Sequence, residues 1–252
     1  MKNIALILSY NGEKYHGWQI QNNAVSVCSV LTDAIEKIIK KKVSVTGCGR
    51  TDAGVHAINY VCNFMADTNI PEEKIPCALN SVLPYDIRVK KAFFISSDFH
   101  SRFDVIKKRY VYKIVCDGVG DVFSLGRAWQ IKYDLDFEKM QSACKAFLGE
   151  HDFAAFRATG TDTKTSVRTI YDLHLEKEGN VITVSVCANG FLYNMVRIIV
   201  GTLMYVGCGK IEASEISDII KSLDRTRAGI TAPPDGLYMH SVEYDKKFGI
   251  EV

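Results

Sequence analysis

A chain of 252 residues with 47% apolar and 24% charged residues falls in the globular range, with length for one large domain or two ordinary ones. Those proportions exclude a long disordered or collagen-like stretch. The formal net charge is only +2, so nucleic-acid binding cannot be argued from the total and must rest on where charge is concentrated.

The opening Met1 to Tyr10 carries a lysine and a short apolar run. Ser9-Tyr10-Asn11-Gly12 interrupts it before a signal-peptide core is complete, which points to a cytoplasmic protein. Ile4 to Leu8 reads as a strand and Asn11 to Asn23 as a polar loop. Val27, Leu31, Ala34, Ile35, Ile38 and Ile39 then recur at helical spacing. Val43 to Thr46 and Ile58 to Phe64 are strand-like segments around a glycine-rich loop. Pro71 starts a second helix through about Ser81, and Ile87 to Ile95 is another strand. The order is β-α-β-β-α-β.

In the second half, Arg109 to Val115 and Arg127 to Ile131 predict strands and Phe137 to Leu148 a helix. Thr169 to Leu175 and Val181 to Ala188 form a hairpin turning at Glu178-Gly179-Asn180. A helix over Phe191 to Val206, another over about Ser214 to Leu223 and a strand around Leu237 to Val242 close the chain. The longest apolar run, Met195 to Val206, contains Arg197 and falls short of the roughly 20 residues a membrane span needs. No membrane association is expected. The pattern predicts an α+β protein of two similar split β-α-β, RRM-like halves with antiparallel sheets, separate or merged into one larger sheet. The domains are expected at 1–103 and 104–252, packed together because no proline- or serine-rich linker separates them.

Eight cysteines are scattered singly with no C-x-x-C pair, and read as reduced, mostly buried thiols. Six histidines are equally dispersed, so no metal site is expected. Charge concentrates between His100 and Lys113, where Arg102, Lys107, Lys108, Arg109 and Lys113 face one acid, Asp104, interleaved with Phe103, Tyr110 and Tyr112. The lysines at 37 and 40–42 read as a solvated helix face. Arg157, Lys164 and Arg168 form a further basic cluster. The aromatic interleaving makes the 100–113 segment the better candidate for gripping nucleic acid.

Gly47-Cys48-Gly49-Arg50-Thr51-Asp52-Ala53-Gly54 follows a strand, and its glycines let the backbone approach something bulky. It is not a phosphate loop: neither G-x-G-x-x-G nor G-x-x-x-x-G-K-[ST] is satisfied. Taken alone, an aspartate in such a turn is more often a turn former than a catalyst. On the helix after Phe191, Tyr193, Arg197 and Gly201 share one i, i+4 row of a helix apolar around most of its circumference. That row either faces solvent or gives the guanidinium a carboxylate or phosphate partner. Tyr110 and Tyr112 share one strand face, as core or as a platform for stacking an unpaired base.

Six stretches in order resemble the tRNA pseudouridine synthase A family: Gly17-Trp18-Gln19 with Gln21; Gly49 to Ala57 (GRTDAGVHA); Phe99 to Phe103 with Lys108 to Tyr112; Asp152 to Arg157 with Arg168-Thr169-Ile170; Phe191 to Arg197; and Thr231 to Tyr238. The resemblance implies an isomerase that breaks the uridine C1′–N1 bond, turns the uracil and rejoins it through C5, without metal or cofactor. Asp52 then matches the catalytic aspartate, which must be ionised, and Arg197 the position that pairs with it. Arg50 matches the residue holding the flipped base, Tyr110 the tyrosine stacked on the target uracil, and Leu237 the apolar residue packed against it. Arg102, Lys107, Lys108 and Arg109 would contact the RNA backbone. The resemblance further implies a homodimer, a tRNA substrate modified at uridines 38 to 40 of the anticodon stem-loop, and an active site in the cleft between the halves.

The chain departs from that family at Cys28 and Thr32 in the first helix, at Asn59-Tyr60 where a Gly-Gln pair is usual, and at Ser101 and Val105. Several of these lie near the active loop, so a diverged copy acting on other uridines or another RNA is an alternative. Two rivals complete the field: a non-catalytic RNA-binding protein, and a hydrolase using Asp52 as nucleophile, for which the loop offers only His56 as acid or base.

Overall fold

The computed structural model describes residues 1–160 and 164–250. The first elements are β1 (Lys2–Tyr10), α1 (Val27–Ile39), β2 (Thr46–Gly47), β3 (His56–Ala66), α2 (Ile75–Asn80) and β4 (Ile87–Ile95). They continue with β5 (Val105–Cys116), β6 (Trp129–Ile131), α3 (Phe137–Cys144), β7 (Gly149–Asp152), β8 (Val167–Glu178) and β9 (Val181–Ala188). The last are α4 (Met195–Gly207), α5 (Ile216–Ser222) and β10 (Leu237–Tyr244). The fold is α+β with mostly antiparallel strands.

The chain divides into two compact units, one of Met1–Lys108 with the residues from Tyr238 on, the other of Arg109–Leu237. The first unit differs from a split at 103/104 in regaining the last strand. Tyr238 and Met239 of β10 pair in parallel with His56 and Ala57 of β3, a long-range pairing that local periodicity does not encode.

In the first unit the strand order is β4-β1-β3-β10, with β2 on β3. β1 pairs antiparallel with both β3 and β4, and its buried run Ile4 to Leu8 shows why these apolar residues form a central strand. α1 starts where Ser26 accepts the Ser29 N–H in a capping box, and stops at Lys40, whose φ of 58° is left-handed. Its buried stripe Val27, Leu31, Ala34 and Ile35 seats the helix. Ile35, Ile38 and Ile39 of α1 and Ile75 and Leu79 of α2 converge with Ile4 and Phe64 of the strands. Between Pro71 and Ser81 the backbone makes a 3₁₀ turn at Glu72–Lys74 before α2, where a single helix is expected from the sequence.

In the second unit the order is β5-β9-β8-β7, with β6 parallel on β5. β8 and β9 form the expected hairpin, and Gly179 takes the positive φ of 58° in its two-residue turn. α4 is buried along nearly its whole length. It begins at Met195 rather than Phe191 because Asn194 is left-handed, with φ 58°. α3 packs beside it: the Asp136 N–H donates to the Gly207 carbonyl at 2.9 Å. No helix among the described residues is long and apolar enough to cross a membrane.

Candidate active site

The glycine-rich loop lies against the polar loop that follows β1, and the contact is backbone on backbone. A Cβ on Gly12 would stand 2.0 Å from the Val55 carbonyl oxygen, and one on Gly17 2.2 Å from that of Thr51. Only glycine fits at either place. The Trp18 N–H donates to the Thr51 carbonyl (3.1 Å) and the Gly54 N–H to that of Tyr15 (3.1 Å). The Tyr10 and Thr51 hydroxyls share a hydrogen bond of 2.8 Å. His56 is buried, accepts the Gly12 N–H at Nδ1 (3.0 Å) and stacks on Tyr238. The loop is therefore held at both ends and in the middle, while Asp52 is half-buried and Arg50 exposed on it.

Two further donors hold carbonyls at its start. The Lys108 ammonium donates to the Cys48 carbonyl at 2.6 Å, and burial draws its pKa down. The Tyr60 hydroxyl donates to the Gly49 carbonyl, and burial pushes that phenol well above its ordinary range, keeping it a donor. Neither contact has a signal in the sequence. Lys108 counts there as one base of a charged run, and Tyr60 as a departure from a family pattern.

In the second unit, Arg197 and Tyr112 bond the segment that leads to Leu237. Arg197 is half-buried, its Nε donates to the Ala232 carbonyl (2.7 Å), and its Nη1 donates to the Asn194 side chain (2.8 Å). The left-handed Asn194 is thus both helix cap and acceptor for the arginine one turn on. The Tyr112 hydroxyl donates to the Pro233 carbonyl at 2.7 Å, next to the carbonyl that Arg197 takes. A Cβ on Gly236 would meet the Tyr112 ring at 2.7 Å, so the chain turns closely over that ring before Leu237, which is buried. Tyr110 is also buried, edge-on to Phe191 with ring centroids 5.1 Å apart.

These contacts resolve alternatives the sequence leaves open. Residues 229–232 cross α4 at Gly201, where a Cβ would stand 1.8 Å from the Ile230 carbonyl oxygen, so part of the arginine row is covered by backbone. Tyr112 has no exposed surface and Tyr110 only 7%, so Tyr112 is core and Tyr110 keeps a small part of its surface open. The basic segment is also largely engaged within the protein. Lys107 pairs with Glu243 (2.9 Å), Lys108 holds the loop, and Arg109 pairs with Asp172 (2.6 Å) and donates to Ser185 (2.7 Å). Arg102 is exposed, its guanidinium over the ring of Phe103. Among the described residues no cluster of three or more His, Cys, Asp or Glu side chains is arranged to hold a metal ion.

The family model described as tRNA pseudouridine synthase matches residues 6–104 and 143–245. Over 244 residues, 97% of this chain and 100% of the relative, the chain is 49% identical to tRNA pseudouridine synthase A of Thermoanaerobacter sp. (strain X514). At the same coverage it is 48% identical to tRNA pseudouridine synthase A of Acetivibrio thermocellus and 46% identical to tRNA pseudouridine synthase A 2 of Clostridium perfringens. With the Asp52 loop inside the first matched stretch and the Arg197 helix inside the second, the chain belongs to the tRNA pseudouridine synthase family.

Proposed function

We propose that this isomerase converts uridine to pseudouridine in the anticodon stem-loop of tRNA, at uridines 38 to 40, with Asp52 as its one catalytic carboxylate. The carrying observation is that Asp52 is half-buried on a loop that the fold holds on both sides of it: Thr51 by Tyr10 and Trp18, Gly54 by Tyr15, His56 by Gly12. Catalytic groups need such positioning, because small misplacements cost large factors in rate.

Arg50 holds the target flipped out of its stack, offsetting an unstacking cost of a few kcal/mol. Tyr110 stacks on the uracil, Leu237 packs against it, and Arg197 is a further substrate-binding residue. The glycosidic bond between C1′ and N1 breaks, the uracil turns, C5 bonds to C1′, and the proton leaving C5 is balanced by one gained at N1. No metal or cofactor takes part. Arg102 meets the RNA backbone, the enzyme works in the cytoplasm as a homodimer, and a solution mass of twice 28.2 kDa is expected by light scattering.

A hydrolase is disfavoured because His56, the loop's only candidate partner, is buried and accepts a backbone N–H at Nδ1. A purely RNA-binding role is disfavoured because Asp52, Tyr110 and Arg197 are all retained. Incubating the protein with unmodified tRNA and mapping pseudouridine at single-nucleotide resolution tests the proposal. Modification confined to positions 38 to 40 supports it; modification elsewhere, or none, defeats it.

A further inference from the structure

Three aromatic side chains lie under the start of the catalytic loop. Tyr60, on β3, has no exposed surface, and Trp18 stacks on it with ring centroids 4.0 Å apart and planes 27° from parallel. Tyr10 lies 5.7 Å from the same ring. Two of these side chains bond the loop, the Tyr60 hydroxyl to the Gly49 carbonyl and the Tyr10 hydroxyl to the Thr51 hydroxyl, and the backbone N–H of Trp18 donates to the Thr51 carbonyl. Gly49 and Thr51 flank Arg50, and Asp52 follows directly. Gly47 completes the fit. A Cβ there would stand 2.1 Å from the Tyr60 hydroxyl oxygen and 2.5 Å from the Trp18 ring nitrogen, so this tyrosine requires a residue without a side chain at position 47.

We propose that Tyr60 is a positioning residue for the reaction: its hydroxyl fixes the Gly49–Arg50 peptide and thereby the direction in which Arg50 and Asp52 are presented. The inference rests on Asp52 being the catalytic carboxylate. The bond matters because the ring is sealed from water. A part-buried carbonyl that loses its donor leaves the peptide to reorient toward another, and a displacement of about 1 Å at a reacting group costs on the order of a hundredfold in rate.

The test replaces the hydroxyl and keeps the ring. Wild type, Tyr60→Phe, and a protein with para-aminophenylalanine at position 60 are compared on unmodified tRNA, at a temperature where circular dichroism shows each folded. The para-amino group donates a hydrogen bond and phenylalanine does not. Single-turnover pseudouridine formation should fall at least about tenfold in Tyr60→Phe, with tRNA Kd within about twofold of wild type since no RNA contact is removed, and should recover with the para-amino residue. A Tyr60→Phe protein with the wild-type rate, one that loses only tRNA affinity, or a rate that the para-amino group does not restore each overturns the assignment. A wild-type protein that forms no pseudouridine in the same assay instead overturns the proposed function, so the two failures are distinguishable.

Discussion

The Lys108 ammonium, 2.6 Å from the Cys48 carbonyl oxygen, is a half-buried donor to the Asp52 loop, although in sequence it is one more base in a charged run. Charged donors contribute about 1.5–3 kcal/mol per hydrogen bond. Lys108→Met should therefore lower Tm by several degrees, because it leaves the Cys48 carbonyl unsatisfied. The slope of log Kd for tRNA against log salt should stay where it was. Arg102→Ala should do the opposite, reducing that slope by about one with little change in Tm; a flattened slope in the Lys108 variant would mean that its ammonium meets phosphate after all. Tyr110→Phe should keep tRNA binding and lose rate, since the ring survives and the hydroxyl does not. An unchanged rate would count against any part for that hydroxyl in the reaction. The Asp52 loop was legible because nine residues in a row carry its pattern. Lys108 and Tyr60 were not, because what a side chain donates to depends on which carbonyl the fold brings opposite it.

At the scale of elements, local signals placed what local physics governs. Ile87–Ile95 is a strand with the bounds its apolar run suggests, and the hairpin of β8 and β9 turns at its glycine. The loop motif hid the start of β3, which begins at His56. The four polar residues of β7 have no apolar alternation and form a strand only because β8 lies beside them. Periodicity placed Gly201 in line with Arg197 but could not show that residues 229–232 cross there. Gly201→Ala puts a Cβ against a backbone oxygen, and overpacking of that kind costs about 1–3 kcal/mol. A Gly201→Ala protein with wild-type Tm would contradict this packing. On β8, burial works against ionisation of Asp172, but hydrogen bonds from His174 and Arg109 outweigh it and hold the carboxyl below its ordinary pKa. A depressed carboxylate pKa stabilises above the unfolded value of about 3.9 and ceases to as pH falls through the folded one. The Tm difference between wild type and Asp172→Asn should be level near neutrality and shrink below about pH 4; a difference independent of pH would rule out the ion pair as its source.

For the whole molecule, a net charge of +2 leaves RNA binding to local patches, and the largest of them is partly neutralised from within by Glu243 and Asp172. Five phosphate contacts from that segment would give a salt slope of about −4.5; the engaged bases predict a shallower one. The α+β class was legible from alternating strands and helices, whereas the pairing of β10 with β3 was not, since Tyr238 and His56 are far apart in sequence and meet only through pairing. The central claim is that Asp52 carries the chemistry while the surrounding loop carries its position. Asp52→Asn, nearly the same in shape and unable to ionise, tests it most directly when incubated with unmodified tRNA beside wild type. Pseudouridine formation should be abolished and tRNA Kd largely retained; an Asp52→Asn protein that still modified the anticodon arm would contradict the account.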